Sequence, residues 1–361
     1  MSVQAPYYKR AKLSSLPPSA RVIGTHSGTF QADEALGVWL LRQVPEYRNS
    51  PVVRSRDPAV LEKCDIVIDV GGVYDHANLR YDHHQRDYDE RFPPKRGAES
   101  RCTKLSASGL VYRHYGREVV SAHYPRLTPG SAELDWVYVK MYDSFMEAID
   151  AIDTGVEPSP GGTELLYRDS TGLSSRVGRL NPRWNEVECD DDDGGVGAPP
   201  DSDARFETAS GMCGTDFLGM LAKVVESDLP ARSIVEAAVR GRLECDPSGE
   251  VIVLPSGGLP WKSEVYELED ELSISVPIKY VLYEDQSGMW RIQCVSVRGK
   301  AFENRLGLPA EWRGVRDEDL SRVAGIDGCT FCHASGFIGG NRSYGGALEM
   351  ARAALSVGGD K

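Results

Sequence analysis

"CDIVIDVGG", residues 64–72, sets the apolar run Ile66–Ile68 directly against an acid and a glycine pair. A strand with one wet face alternates apolar and polar residues. This one does not, so both of its faces are expected to be buried, as in a parallel sheet covered by helices. Its neighbours fit the same plan. "RVIGTHSGTF" is a short apolar strand (Val22, Ile23) opening into a Gly/Thr/Ser loop, and "PVVRSRD" reads as a further strand. "DEALGVWLLRQV" places Ala35, Val38, Trp39 and Val44 among apolar positions at helical spacing. "SASGLVYRHYG" and "LDWVYVKMYDSFMEAIDAIDTG" read as helices, the second long and ending near Gly155. Strand and helix in alternation predict an α/β first domain with a mostly parallel sheet.

A chain of 361 residues is too long for one comfortable core. The expected division is a flexible basic tail over 1–20, a first domain over 21–185, an acidic loop over 186–205 and a smaller α+β domain over 206–361. The tail carries Lys9, Arg10 and Lys12 before the first acid, Asp33, a pattern shared by mitochondrial presequences, nuclear signals and plain disordered tails. The loop "EVECDDDDGGVGAPPDSDAR" sets eight acids against one arginine and is expected to be solvated. In the last domain "VIVLPSG", "SISVPIKYVLYED" and "MWRIQCVSVRG" read as strands, and "GFIGGNRSYGGALEMARAAL" as glycines leading into a helix.

The formal net charge of −13 argues against a protein that coats nucleic acid through counterion release, though it leaves room for a local basic groove. No run approaches the roughly 18 apolar residues of a membrane span, so none is expected. Eight scattered cysteines suit reduced thiols better than a disulfide framework. "CTFCH", Cys329 to His333, fits the C-x-x-C-H pattern of haem attachment, but so short a match is weak and a lone C-x-x-C lacks two ligands for structural zinc. No haem is expected.

The polar residues collect where an open α/β sheet binds ligands, just beyond the carboxyl ends of its strands. His26, Asp33 and Glu34 follow the first strand, Asp69 ends "DIVIDV", Asp82, His83 and His84 come shortly after, and Asp150 and Asp153 close the long helix. One histidine at a strand end is ordinarily a loop residue, and one acid a helix cap. Four such groups in one domain point to a bound cation. Imidazoles and carboxylates without thiolate suit Mn²⁺ or Mg²⁺. Two such ions, about 4 Å apart and sharing a carboxylate, make a hydrolytic centre for phosphoesters.

"THSGTFQADEA", "IDVGGVYD", "RYDHHQR", "LSSRVGRLNPRW" and "HASGFIGG" occur in this order, with "AIDTG" between the third and the fourth. Together they resemble the melanocyte proliferating gene (MYG) exonuclease family of the DHH phosphoesterase superfamily, over nearly everything from Arg21 to Ala354. The resemblance implies a DHH-type domain plus a substrate-binding domain, and a 3′→5′ exonuclease of mitochondrion and nucleus acting on single-stranded RNA with two Mn²⁺ or Mg²⁺ ions. By motif, it implies metal ligands at His26, Asp33, Asp69, His83 and Asp153, with Asp150 as a substitute. Asp82 would orient an imidazole, and His84 would face the scissile phosphate.

The family pattern has histidine where this chain has Gln31, a neutral and weaker donor. Either the amide oxygen coordinates, or the site is loosened and activity is reduced or lost. Arg176 and Arg179 offer guanidinium forks to phosphate. His333, Ser335, Gly336, Gly339 and Gly340 resemble the substrate-gripping glycine motif, with amides approaching phosphate or ribose before the final helix. Trp184 and Trp261 are candidate stacking platforms for a base, and Arg298 and Lys300 weaker candidates for substrate contact. Short oligonucleotides, other small phosphate compounds, or RNA held without turnover are the rival substrates and roles. A homodimer is the assembly to test, and the cytoplasm a further location.

Overall fold

The computed structural model describes residues 21–95, 100–159, 167, 169–186 and 202–358. The basic tail and most of the acidic loop lie outside the described residues. Contacts divide the chain into Met1–Val224 and Val225–Lys361.

The first unit contains β1 (Ile23–Thr25), α1 (Ala32–Gln43), β2 (Val52–Arg54), α2 (Pro58–Leu61), β3 (Ile66–Ile68), β4 (Tyr74–Asp75), β5 (Arg80–Tyr81), α3 (Ala107–His123), α4 (Ala132–Met141), α5 (Glu147–Asp153), α6 (Leu173–Gly178) and α7 (Ser202–Lys223). The sheet order is β2-β1-β3-β5-β4. The first four of these strands run parallel, and β4 closes the edge antiparallel to β5. Every residue of β1 and β3 is buried, as the unbroken apolar run in β3 requires. The predicted long helix is interrupted by a π-helical stretch, Tyr142–Met146, between α4 and α5. One extra residue per turn there shifts the face that α5 presents.

Helix α1 packs against α3 and α7. Gly214 permits the second contact, since a Cβ there would fall 2.0 Å from Trp39 Nε1. Arg42 and Glu207 pair at 2.6 Å across the same helices. Phe206 meets the edge of Phe30 with ring centroids 5.7 Å apart. Helix α7 therefore belongs with the first unit, which corrects the expected boundary at 205/206: its amphipathic pattern marks a buried face without saying whose core covers it.

The second unit contains α8 (Leu229–Arg240), α9 (Arg242–Cys245), β6 (Val251–Leu254), α10 (Lys262–Glu271), β7 (Tyr280–Glu284), β8 (Trp290–Cys294), β9 (Ser296–Val297), β10 (Lys300–Asn304), α11 (Asp317–Ala324), β11 (Cys329–Cys332), β12 (Ile338–Asn341) and α12 (Tyr344–Gly358). Its five-stranded sheet, β11-β12-β8-β7-β6, is antiparallel except for the β6–β7 pair. Gly339 and Gly340 lie inside β12, between β11 and β8. They are not in a loop ahead of the last helix, as "GFIGG" had implied. No helix among the described residues is long and apolar enough to cross a membrane.

Candidate metal and active site

Three of the parallel strands of the first unit, β1, β3 and β5, lead into site residues at their carboxyl ends. β1 runs into His26, and β3 into Asp69, whose φ of 56° is left-handed. A non-glycine residue held there indicates a position fixed by its surroundings, a pattern that gathers at functional sites. The segment after β5 supplies Asp82, His83 and His84. The first turn of α1 supplies Asp33 and Glu34, and the end of α5 supplies Asp153.

Asp69 joins these groups. Its Oδ2 lies 3.4 Å from His26 Nε2, which also stands 3.1 Å from Glu34 Oε1. Its Oδ1 lies 3.8 Å from His83 Nδ1, and His83 Nε2 stands 3.1 Å from Asp153 Oδ2. Three sets of donor atoms result, each within 4.8 Å: His26, Glu34 and Asp69; Asp33, Asp69, His83 and Asp153; Asp69, Asp82, His83 and His84. Asp69 belongs to all three.

The donors fit divalent ions. Among the described residues, Asp69 Oδ1, Glu34 Oε2 and His83 Nδ1 are buried without a hydrogen-bond partner, an arrangement that native proteins rarely leave unless something else satisfies the atoms. Oxygen and imidazole donors without thiolate form groups that could hold a metal ion. The electrostatics agree. Burial works to lower the His26 pKa, yet its hydrogen bonds to Asp69 and Glu34 raise it to about 10. Burial likewise opposes charge on His83, but Asp153 and Asp33 raise it to about 9. Burial, with Asp153 and Asp69 nearby, pushes Asp33 well above the carboxylate range. This acid cluster draws positive charge into itself, and protonated imidazoles supply it where metal cations would.

Asp82 is buried; its Oδ1 sits 2.6 Å from His84 Nδ1, and its Oδ2 accepts from the Gly72 amide at 2.6 Å. Burial alone would raise its pKa, but His84 and the Gly72 amide hold it below the usual range. His84 is 62 % exposed, so Asp82 fixes one ring nitrogen while the rest of the ring faces solvent. Asp150 stands apart. It accepts from the Ser106 amide at 3.0 Å, the Ser106 hydroxyl at 2.6 Å and the Tyr142 hydroxyl at 2.7 Å. Burial pushes it up to about 7, against the pull of those bonds. It joins none of the donor sets, and the structure gives it a bracing position. The Ser106 hydroxyl also lies within hydrogen-bond distance of Asp33, so its one proton bridges the two acids, and Asp33 accepts from the Ser108 amide at 2.7 Å and the Ala107 amide at 3.0 Å. The start of α3 thus holds both carboxylates.

His26, Asp69, Asp82, His84 and Asp153 border a cleft of about 630 Å³ that Gln31 also lines. The Gln31 backbone donates to Glu34 Oε1 at 2.8 Å. Arg176 is paired with Asp216 at 2.6 Å, and Arg179 donates to the Ser170 carbonyl at 2.8 Å, so both guanidinium groups already have protein partners. In the second unit His333 Nδ1 and Ser335 Oγ lie 2.9 Å apart in an exposed turn, and Gly336 has a φ of 69°. The Gly339 and Gly340 backbones serve the sheet. Cβ atoms there would meet Leu308 and the Arg291 guanidinium, so internal packing accounts for both glycines. Trp261 is a core residue, whereas Trp184 is 97 % exposed. Arg298 pairs with Asp270 and Lys300 with Glu303. Cys329 and Cys332 are buried free thiols.

Reading the sequence missed Ser106 and Asn181, and it placed Glu34 in the polar cluster without a ligand role. Glu34 looks like an acid favouring a helix start, and only its place beside Asp33 hints otherwise. Ser106 and Asn181 carry no local signal, because their partners lie far off in the chain. Asn181 holds the loop before α1, accepting from the Phe30 amide at 2.9 Å and donating to the Phe30 carbonyl at 2.8 Å.

The family model described as an uncharacterised protein family, UPF0160, under the heading MYG1 exonuclease, matches residues 22–355. The MYG1 exonuclease of Homo sapiens is 46% identical over 355 residues, covering 98% of this chain and 90% of the human protein. The MYG1 protein of Dictyostelium discoideum is 43% identical, over 91% of this chain and 94% of its own length. That of Saccharomyces cerevisiae is 39% identical, over 96% and 99%. No solved structure matches significantly. With the family model spanning nearly the whole chain and relatives alike from end to end, the chain belongs to the MYG1 exonuclease family.

Proposed function

We propose that this protein is a 3′→5′ exonuclease of single-stranded RNA that releases nucleoside 5′-monophosphates, working with two divalent ions, Mn²⁺ or Mg²⁺. The observation that carries the reading is Asp69, which points one oxygen toward His26 and the other toward His83. His26, Glu34 and Asp69 would hold one ion, and Asp33, Asp69, His83 and Asp153 the other. Such ions neutralise phosphate charge and lower the pKa of bound water. The chain's own residues do the rest. The Asp33 carboxylate is fixed by the amides that open α3. Asp82 keeps His84 oriented with its outer nitrogen toward the cleft, where it would donate a proton to the departing ribose 3′ oxygen. The exonuclease names of the mammalian relatives support the reaction class, and the basic residues of the tail support delivery to mitochondrion or nucleus.

Gln31 favours a second reading. An amide at the rim of the first donor set weakens that set, which fits an enzyme of reduced activity or an RNA-binding protein without turnover. Incubation of the protein and of Gln31→His with 5′-labelled single-stranded RNA, with and without Mn²⁺, separates the cases. A ladder shortened from the 3′ end by both supports the exonuclease. Cleavage by the histidine variant alone makes this chain a disabled form. RNA binding with no cleavage by either sinks the enzymatic reading.

A further inference from the structure

We infer that Arg56 is the group that grips the phosphate of the substrate, and this rests on the phosphodiesterase reading above. Two arginines follow one another at the end of β2, and the structure uses them differently. Arg54 is consumed by the fold. It donates to the Gly28 carbonyl at 2.5 Å, lies 3.3 Å from Asp203 and stacks over Phe206 at 4.9 Å. Arg56 is exposed at the cleft and has no carboxylate within ion-pair distance among the described residues. Among the described residues its guanidinium has polar contacts with the Ser27 carbonyl, at 3.2 Å, and His26 Nδ1, at 3.3 Å.

That isolation is informative because the cleft is acidic. Asp69, Asp82 and Asp153 line it, and Arg56 is its one lysine or arginine among the described residues. A phosphodiester entering beside those carboxylates needs a permanent cation to offset repulsion, and a guanidinium fork matches its non-bridging oxygens. Arg56 is also well presented. The Ser55 amide donates to the Thr25 carbonyl at 2.8 Å, which ties the loop after β2 to the end of β1 next to His26. The guanidinium therefore stands at the lip of the His26 donor set, with N–H groups to spare beyond its two protein contacts. It lies at the carboxyl edge of a parallel sheet, where such folds bind anions.

The alternative is a brace. By holding the Ser27 carbonyl and His26, Arg56 could merely steady the loop. Gln at this position can still donate to Ser27 but carries no charge, and Lys keeps the charge without the fork. The test uses the full chain in Mg²⁺, with adenosine 5′-monophosphate, adenosine and inorganic phosphate as calorimetric probes, alongside 3′ shortening of RNA. For Arg56→Gln and Arg56→Ala, binding of the monophosphate and of phosphate should weaken about 10- to 100-fold while adenosine is unaffected. RNA cleavage should fall by a similar factor, and Arg56→Lys should recover part of each loss. The melting-temperature rise produced by Mn²⁺ should persist in all three variants. If Arg56→Gln binds phosphate like the wild type, or if Arg56→Ala loses the Mn²⁺ shift and Arg56→Gln restores it, Arg56 is a brace and the inference fails. Wild-type protein that binds phosphate through Arg56 yet never shortens RNA overturns the exonuclease reading alone. Wild-type protein that binds neither anion overturns the phosphate grip itself.

Discussion

Asn181 grips Phe30 at both ends of its peptide backbone, accepting from the amide and donating to the carbonyl, across 151 residues of sequence. Phe30 sits between Thr29 and Gln31, both on the cleft, so this clamp sets the shape of the loop that carries His26. Asn181→Ala leaves two backbone groups without their partner. It is expected to destabilise the protein by about 1–3 kcal/mol and to reduce the Mn²⁺-induced rise in melting temperature. Urea unfolding and thermal melts with and without Mn²⁺ check both effects, and a variant with wild-type stability would remove the clamp from the account.

Asp69 combines a left-handed backbone, an unpartnered buried oxygen and close acidic neighbours. In the metal-free chain its carboxylate faces His26 and His83 and helps to hold both rings charged. Asn tolerates the same backbone region and removes the charge. Asp69→Asn is therefore predicted to make the metal-free protein less stable, by about 1–2 kcal/mol, and to abolish both nuclease activity and stabilisation by Mn²⁺. Differential scanning calorimetry in EDTA and in Mn²⁺ reads both signs at once. A metal-free variant more stable than the wild type contradicts the prediction.

Asp150 and Tyr142 form a bond of a different kind, buried and 2.7 Å long, behind the donor sets. Gly109 makes room for it, since a Cβ there would fall 2.2 Å from Asp150 Oδ1. Asp150→Asn turns an acceptor into a donor facing donors, at an expected cost of about 2–4 kcal/mol. Tyr142→Phe should cost less, about 1 kcal/mol, and the double variant should cost less than the sum of the two, because the residues share one bond. The Mn²⁺ shift should survive in each. Its loss in Asp150→Asn would return Asp150 to the metal site.

How much of this was legible follows the range of the interactions. Ile66–Ile68 announces a strand buried on both faces without help from elsewhere, and Asp69, Asp82 and His83 then fall at strand ends where ligands belong. Glu34 was hidden in plain view: an acid in a helix's first turn reads as favouring the dipole, and only the fold turns it to His26. The allegiance of α7 depends on Gly214 meeting Trp39, a contact no local pattern encodes. Gly339 and Gly340 look like a loop because glycine is common in loops, whereas here they serve a central strand crowded by Leu308 and Arg291. The role expected of Asp150 from "AIDAIDTG" was displaced by Ser106, 44 residues upstream.

The His76 and His114 rings stack with centroids 3.6 Å apart and an interplanar angle of 8°. Tyr74 Oη lies 2.8 Å from His114 Nε2 and donates to it when the ring is neutral. Burial, and then the neighbouring His76, hold the His114 pKa down to about 4. The unfolded chain would titrate near 6.5. Between those values the unfolded state binds the extra proton, so stability from this residue is complete above about pH 6.5 and is lost as pH falls toward 4. After allowance for the partly exposed ring, the loss is about 1–3 kcal/mol. His114→Gln, which keeps an amide beside Tyr74 but cannot titrate, should flatten that part of the profile. Urea unfolding in EDTA at pH 7.5 and at pH 5 measures it: the wild type should lose more stability than the variant on acidification, and equal losses would assign the acid sensitivity to other groups.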